Sequence, residues 1–172
     1  MKNKIIPKKI GLTAIFVSLG LVLQYAESRI LITPIPGGKL GLANIVSILN
    51  IFMLGGKNAL LVATIRAFLG GLLTGGAMAV PYSVTGAIAS VLIMCLSKKL
   101  FYPKASMVGM GMLGAAFHNF AQLLVATVMY GSLYVFSYLP LLLMLSLVSG
   151  ATTGCAAQIF SERIFKAEKG IN

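Results

Sequence analysis

From Ala105 to Ser161 the chain carries no Asp, Glu, Lys or Arg, so with His118 neutral the whole stretch is uncharged. A hydrocarbon core of about 30 Å takes about 20 residues of helix, so this run is too long for one crossing. It has to turn once on the way, and the Gly131 region is the place for that turn. The rest of the chain agrees: 58% of its residues are hydrophobic and 10% charged, and its mean hydropathy is +0.96. Such a mixture lies well outside that of an ordinary soluble domain. The chain reads as one all-α integral membrane domain over residues 1–172.

Counting uncharged stretches of membrane length predicts a compact bundle of six transmembrane helices, at about 11–31, 40–54, 58–74, 80–96, 105–130 and 134–160. The second is short enough to be tilted or partly re-entrant. Gly55, Gly56 and Lys57 supply one turn and Gly75 with Gly76 another, since glycine tolerates the backbone angles of tight turns. Pro140 marks a bend in the sixth span. Small residues four apart, at Gly111 with Ala115, Gly150 with Gly154 and Ala14 with Ser18, let helices approach closely in lipid. Packing within the bundle is the expectation for the Gly150 pair.

Fourteen Lys and Arg face three acids, for a formal charge of +11. A surplus of this size raises the question of nucleic acid, but the cations sit at the ends of apolar segments and mark membrane orientation instead. With six spans and the N-terminus inside, the inner side receives Lys2, Lys4, Lys8, Lys9, Lys57, Lys98, Lys99, Lys104, Arg163, Lys166 and Lys169. The outer side receives Arg29 and Lys39, and Arg66 lies in the membrane. Both termini are therefore expected in the cytoplasm, and a seventh span would put the charged tail on the wrong side. The N-terminal run is superficially like a secretory leader, but it ends in Gln24, Tyr25, Ala26 and Glu27 without a small-residue cleavage site, and is expected to stay as the first span. Cys95 and Cys155 fall in apolar segments with no metal-ligand spacing and read as small buried hydrophobes.

Between the first two spans lies TPIPGGKLGLAN, Thr33 to Asn44. Pro34 and Pro36 cannot continue a helix, Gly37 and Gly38 permit unusual backbone angles, and Lys39 adds a cation, so the stretch is expected to form a shaped outer cap. Around it the chain places polar residues at membrane depth: Glu27, Arg29, Asn44, Arg66, Tyr82, His118, Asn119 and Gln122. Arg66 sits mid-span, where a guanidinium costs at least ~2.5 kcal/mol unless paired or hydrated. Either it bridges to Glu27, or it helps hold an anionic ligand in a wet cavity. His118, Asn119 and Gln122 share one side of a helix and can either bond neighbouring helices or line a cavity. The set converges on the outer half, where a ligand with a carboxylate, a phosphate or a quinone-like oxygen suits its positive balance.

The TPIPGGKLGLAN stretch, the Arg of ATIRAFLGGLLTGG and the segment FHNFAQLLVA resemble the bacterial family called heptaprenyl diphosphate synthase component I, or Gx transporter. That family is similar to the substrate-binding S components of energy-coupling factor (ECF) transporters. The resemblance runs from about Ile10 to Phe165. It implies a six-helix protein of the bacterial plasma membrane that binds a small molecule from outside, under its first external loop. It also implies docking on a transmembrane coupling subunit driven by two ATPase subunits. Lys39, Asn44, Arg66, His118, Asn119 and Gln122 match the family's polar positions, and Ala14 with Ser18 would be the docking motif, with Ser where a second Ala is usual.

The alternatives are a non-catalytic membrane subunit linked to prenyl diphosphate or quinone synthesis, and an anchor for an extracellular redox partner. Catalysis of prenyl transfer is not expected, because diphosphate and Mg²⁺ are held by several carboxylates and this chain has no Asp. No phosphate-binding GxxxxGK[ST] loop occurs, so an ATPase motor would belong to separate subunits. No metal or cofactor is expected.

Overall fold

A computed structural model describes residues 2–30, 41–101 and 106–168. Over them the chain forms α1 (Lys2–Ile30), α2 (Asn44–Met53), α3 (Gly56–Gly75), α4 (Ala79–Phe101), α5 (Met107–Tyr130) and α6 (Leu139–Glu168), with a 3₁₀ turn at Leu133–Tyr138 leading into the last. Five of these helices are long and apolar enough to cross a membrane. Their outward faces carry Val22, Leu73, Val128, Met144 and Val148, while Gln24, Glu27, Arg66, His118 and Gln122 are buried. An apolar exterior around a polar interior inverts the arrangement of a soluble domain. The protein is a helical membrane protein.

The expected second span, 40–54, is corrected by the structure. Its helix has ten residues, about 15 Å at 1.5 Å per residue, and cannot by itself cross a core of about 30 Å. What it does instead is fill the centre. Val46 to Ile51 are all buried, and α2 touches each of the five long helices. Its polar Asn44, Ser47 and Asn50 are enclosed along with its apolar residues. Its two ends are held by other elements: the turn before it by Glu27 of α1, and the carbonyl of Ile51 by the Lys98 ammonium of α4 at 3.2 Å.

Helix ends follow local chemistry. Ser106 caps α5 by accepting from the Gly109 amide at 3.0 Å, which satisfies one of the donors a helix start leaves open. Gly131 ends α5 with φ 62° and ψ 23°, the left-handed conformation that glycine adopts without penalty. The turn expected there is where the structure places it. Pro140 lies in the first turn of α6, where its missing N–H would have had no helical partner in any case. The bend expected at Pro140 is thus a change from 3₁₀ to α geometry at the start of the helix.

Neighbouring helices alternate in direction. Thr13 of α1 meets Asn58 of α3 and Gln24 meets Arg66, so these two run parallel with α2 between them in the chain. A Cβ on Gly71 of α3 would meet Val80 of α4, one on Gly86 of α4 would meet His118 of α5, and one on Gly111 of α5 would meet Gly150 of α6. Each of those pairs is antiparallel. The start of α1 and the end of α6 therefore lie at one end of the bundle, together with Lys57, Lys98 and Lys99.

The tightest seam is between α5 and α6. Added Cβ atoms on Gly111, Gly150 and Gly154 would each strike backbone of the facing helix. Close approach of this kind is how small residues associate helices in lipid. The Gly150 and Gly154 pair therefore serves packing inside the bundle.

Candidate functional site

Gly20, Gln24 and Glu27 follow one another at four and three residues along α1 and share its buried face. Three contacts set the depth of the site, and each places a polar side chain of one helix over a glycine of another. Arg66 of α3 lies over Gly20 of α1, Gln24 of α1 lies over Gly70 of α3, and the His118 ring of α5 lies over Gly86 of α4. A Cβ at Gly86 would stand 2.9 Å from His118 Cε1. Glycine at these positions leaves the space that the long polar side chains occupy.

The result is a small polar hollow of about 20 Å³ lined by Gln24, Glu27, Gly41, Ala43, Asn44, Arg66, Ser83 and His118. It has about the room needed for one water molecule. Arg66 Nη1 donates to Gln24 Oε1 at 2.9 Å, and Gln24 Nε2 donates to Ser83 Oγ at 3.1 Å. The Glu27 carboxylate accepts from the backbone amides of Gly41 at 2.7 Å and Leu42 at 3.0 Å, and acts on the Arg66 charge at longer range. Asn44 Oδ1 accepts from Ser90 Oγ at 3.4 Å.

Of the residues singled out in the sequence, Glu27, Asn44, Arg66 and His118 meet at this hollow. Arg66 reaches Gln24 and not Glu27, whose direct bridge was one of the two alternatives for it. Asn119 turns away: its Nδ2 donates to Ser146 Oγ at 2.8 Å and to the Leu142 carbonyl at 3.4 Å, which is the interhelical role open to it from the start. Gln122 is buried and Tyr82 is half-buried, and neither lines the hollow. Arg29 bonds the Tyr25 hydroxyl of its own helix at 3.0 Å on an exposed face, so it does not add to the charge inside. Lys39, and with it Thr33 to Leu40 of the expected cap, lies outside the described residues.

Sequence reasoning passed over Gln24 and Ser83. Gln24 carries a signal, because it stands three residues before Glu27 on the same helix face. Ser83 carries none, since serine is ordinary in a membrane helix.

Several buried polar atoms here lack partners among the described residues: Arg66 Nε, Asn44 Nδ2, Asn119 Oδ1 and Gln122 Oε1. Arg66 as a residue is 4% exposed, and its guanidinium makes a single hydrogen bond among the described residues, to Gln24, although it has five N–H donors. Leaving buried donors unmade is costly.

Farther along α1, Ala14 and Ser18 are exposed. With Lys9, Ile10, Thr13, Val17, Asn58, Leu61 and Ile65 they line an open, mainly apolar groove of about 630 Å³ between α1 and α3. Among the described residues no three His, Cys, Asp or Glu side chains gather as a metal site would require.

No curated protein and no solved structure matches the chain. A family model does, over residues 16–160, from the α1 residue Phe16 to Phe160 near the end of α6. Since that span is well over half of the chain and contains every residue of the hollow, the chain belongs to the heptaprenyl diphosphate synthase component I family.

Proposed function

We propose that this protein is the substrate-binding membrane component of an ECF-type importer, taking a small anionic or quinone- or isoprenoid-related molecule from the outer side of the cell membrane. The observation that carries the reading is Arg66, buried in the middle of a membrane-length helix with a single hydrogen bond among the described residues and its Nε unpartnered there. An intramembrane cation of this kind is a functional-site candidate by default. The end of the bundle bearing Lys57, Lys98 and Lys99 faces the cytoplasm, as the excess of basic residues on inner loops requires, so the hollow opens toward the outside. The groove containing Ala14 and Ser18 then lies near the inner end, and serves as the face for the coupling subunit, with two ATPase subunits behind it. The chain itself hydrolyses nothing.

Native mass spectrometry of the protein extracted from membranes tests this directly. A bound small molecule is expected on the wild type and absent from Arg66→Ala, with the helical circular dichroism unchanged. Full occupancy in Arg66→Ala would sink the assignment. Docking is tested separately: Ala14→Leu fills the groove, and is expected to abolish co-purification of membrane and ATPase subunits while leaving the retained ligand in place.

The family's name favours a second reading, a non-catalytic membrane subunit tied to prenyl diphosphate or quinone synthesis. Co-purification of a soluble prenyl synthase subunit in place of ATPases would favour it.

A further inference from the structure

We infer that the hollow receives one planar oxo group of its ligand, a carboxylate or a ring carbonyl, and not a diphosphate. This rests on the ligand-binding reading above and narrows it.

The donors and acceptors are unequally engaged. Arg66 uses one of its N–H groups, and Asn44 Nδ2 is buried without a partner among the described residues. The acceptors beside them each already take a bond: both Glu27 oxygens take backbone amides, Gln24 Oε1 takes Arg66, and Ser83 Oγ takes Gln24. Arg66 Nε and Asn44 Nδ2, buried without partners among the described residues, are both donors, which calls for an accepting group. Asn44 is also the first residue of α2, so the positive end of that helix dipole stands at the hollow. A planar guanidinium matches the in-plane lone pairs of a carboxylate or carbonyl oxygen.

Size and charge count against the larger anion. A hollow of about 20 Å³ has room for one oxygen of such a group, while the body of the ligand lies outside it. Among the described residues Arg66 and Glu27 are the charged ones lining it, and against these a diphosphate would set two or more negative charges beside a carboxylate. Nor do the described residues hold a carboxylate cluster through which Mg²⁺ could screen it.

The test uses the full chain in detergent, with thermal unfolding followed by circular dichroism. Three probes are compared at matched ionic strength: 2-naphthoate, 2,3-dimethyl-1,4-naphthoquinone and inorganic pyrophosphate. A rise in midpoint with the naphthoate or the quinone, and none with pyrophosphate, is the expected result on the wild type and needs no variant. Asn44→Asp then separates the two sources. It should weaken naphthoate at least tenfold by setting anion against anion, and weaken the quinone less, by loss of one donor. A rise with pyrophosphate overturns the inference and leaves the binding reading standing. Silence toward all three probes, with a ligand still seen by native mass spectrometry, does the same. Silence together with no retained ligand overturns both.

Discussion

Arg66 shows how a bilayer makes an ion tolerable. A guanidinium at mid-membrane costs about 2.5–3.5 kcal/mol on insertion scales, and α1 offsets this with a notch at Gly20 and an amide at Gln24. Glu27 acts on a different object. Its two oxygens each accept one backbone amide, from Gly41 and from Leu42, so the carboxylate clasps the chain just as it enters α2. Hydrogen bonds to a charged group contribute about 1.5–3 kcal/mol. Glu27→Gln keeps the shape but turns an NH₂ toward one of those amides. Hydrogen exchange of Gly41 and Leu42 should then rise by about tenfold or more, while exchange along α5 stays unchanged. Equal exchange in both proteins would show that the clasp has no energetic weight.

At the scale of elements, α5 and α6 are joined by absence of side chain. Gly111, Gly150 and Gly154 bring backbone against backbone, and Asn119 ties the same pair through Ser146 and the Leu142 carbonyl. A hydrogen bond between membrane helices averages about 0.6 kcal/mol, so the glycine seam carries more of the association than the asparagine does. Gly150→Leu has no rotamer that avoids Met112 and Gly111. It should lower stability by about 1–3 kcal/mol or more, as overpacking does, read as the midpoint of unfolding in a mild detergent against SDS titration. Asn119→Leu should cost clearly less; the reverse order would refute the seam. The central α2 is held differently, between the Glu27 clasp at one end and Lys98 at the other, whose ammonium also lies 4.1 Å from the Phe52 ring centre.

For the whole molecule the testable quantity is sidedness. In a background lacking Cys95 and Cys155, Tyr134→Cys in the 3₁₀ turn, where Tyr134 is 89% exposed, should react with a membrane-impermeant maleimide on intact cells. Lys57→Cys at the opposite end should react only after permeabilisation. The converse labelling would invert the bundle and remove the route by which an external ligand reaches the hollow.

The membrane class, the turn at Gly131 and the long helices were legible in the chain because charge and turn residues act locally, within one helical turn of where they stand. Glu27, Asn44, Arg66 and His118 could be picked out for a related reason: each is costly in lipid wherever the fold puts it. What the residues could not reveal alone was who meets whom. Asn119 and Arg66 looked alike as candidates, yet one is taken up by α6 and the other stays under-bonded at the hollow. Gln24 became part of the site because Gly70 and Gly20 let α1 and α3 close on each other, and Ser83 of α4 because Gln24 reaches it. The same holds for α2, whose apolar run suggests a crossing and whose length forbids one, and which finds its place by being surrounded. Hydropathy depends on the residue itself, whereas hydrogen-bond satisfaction depends on the neighbour, and neighbours are chosen by helix packing.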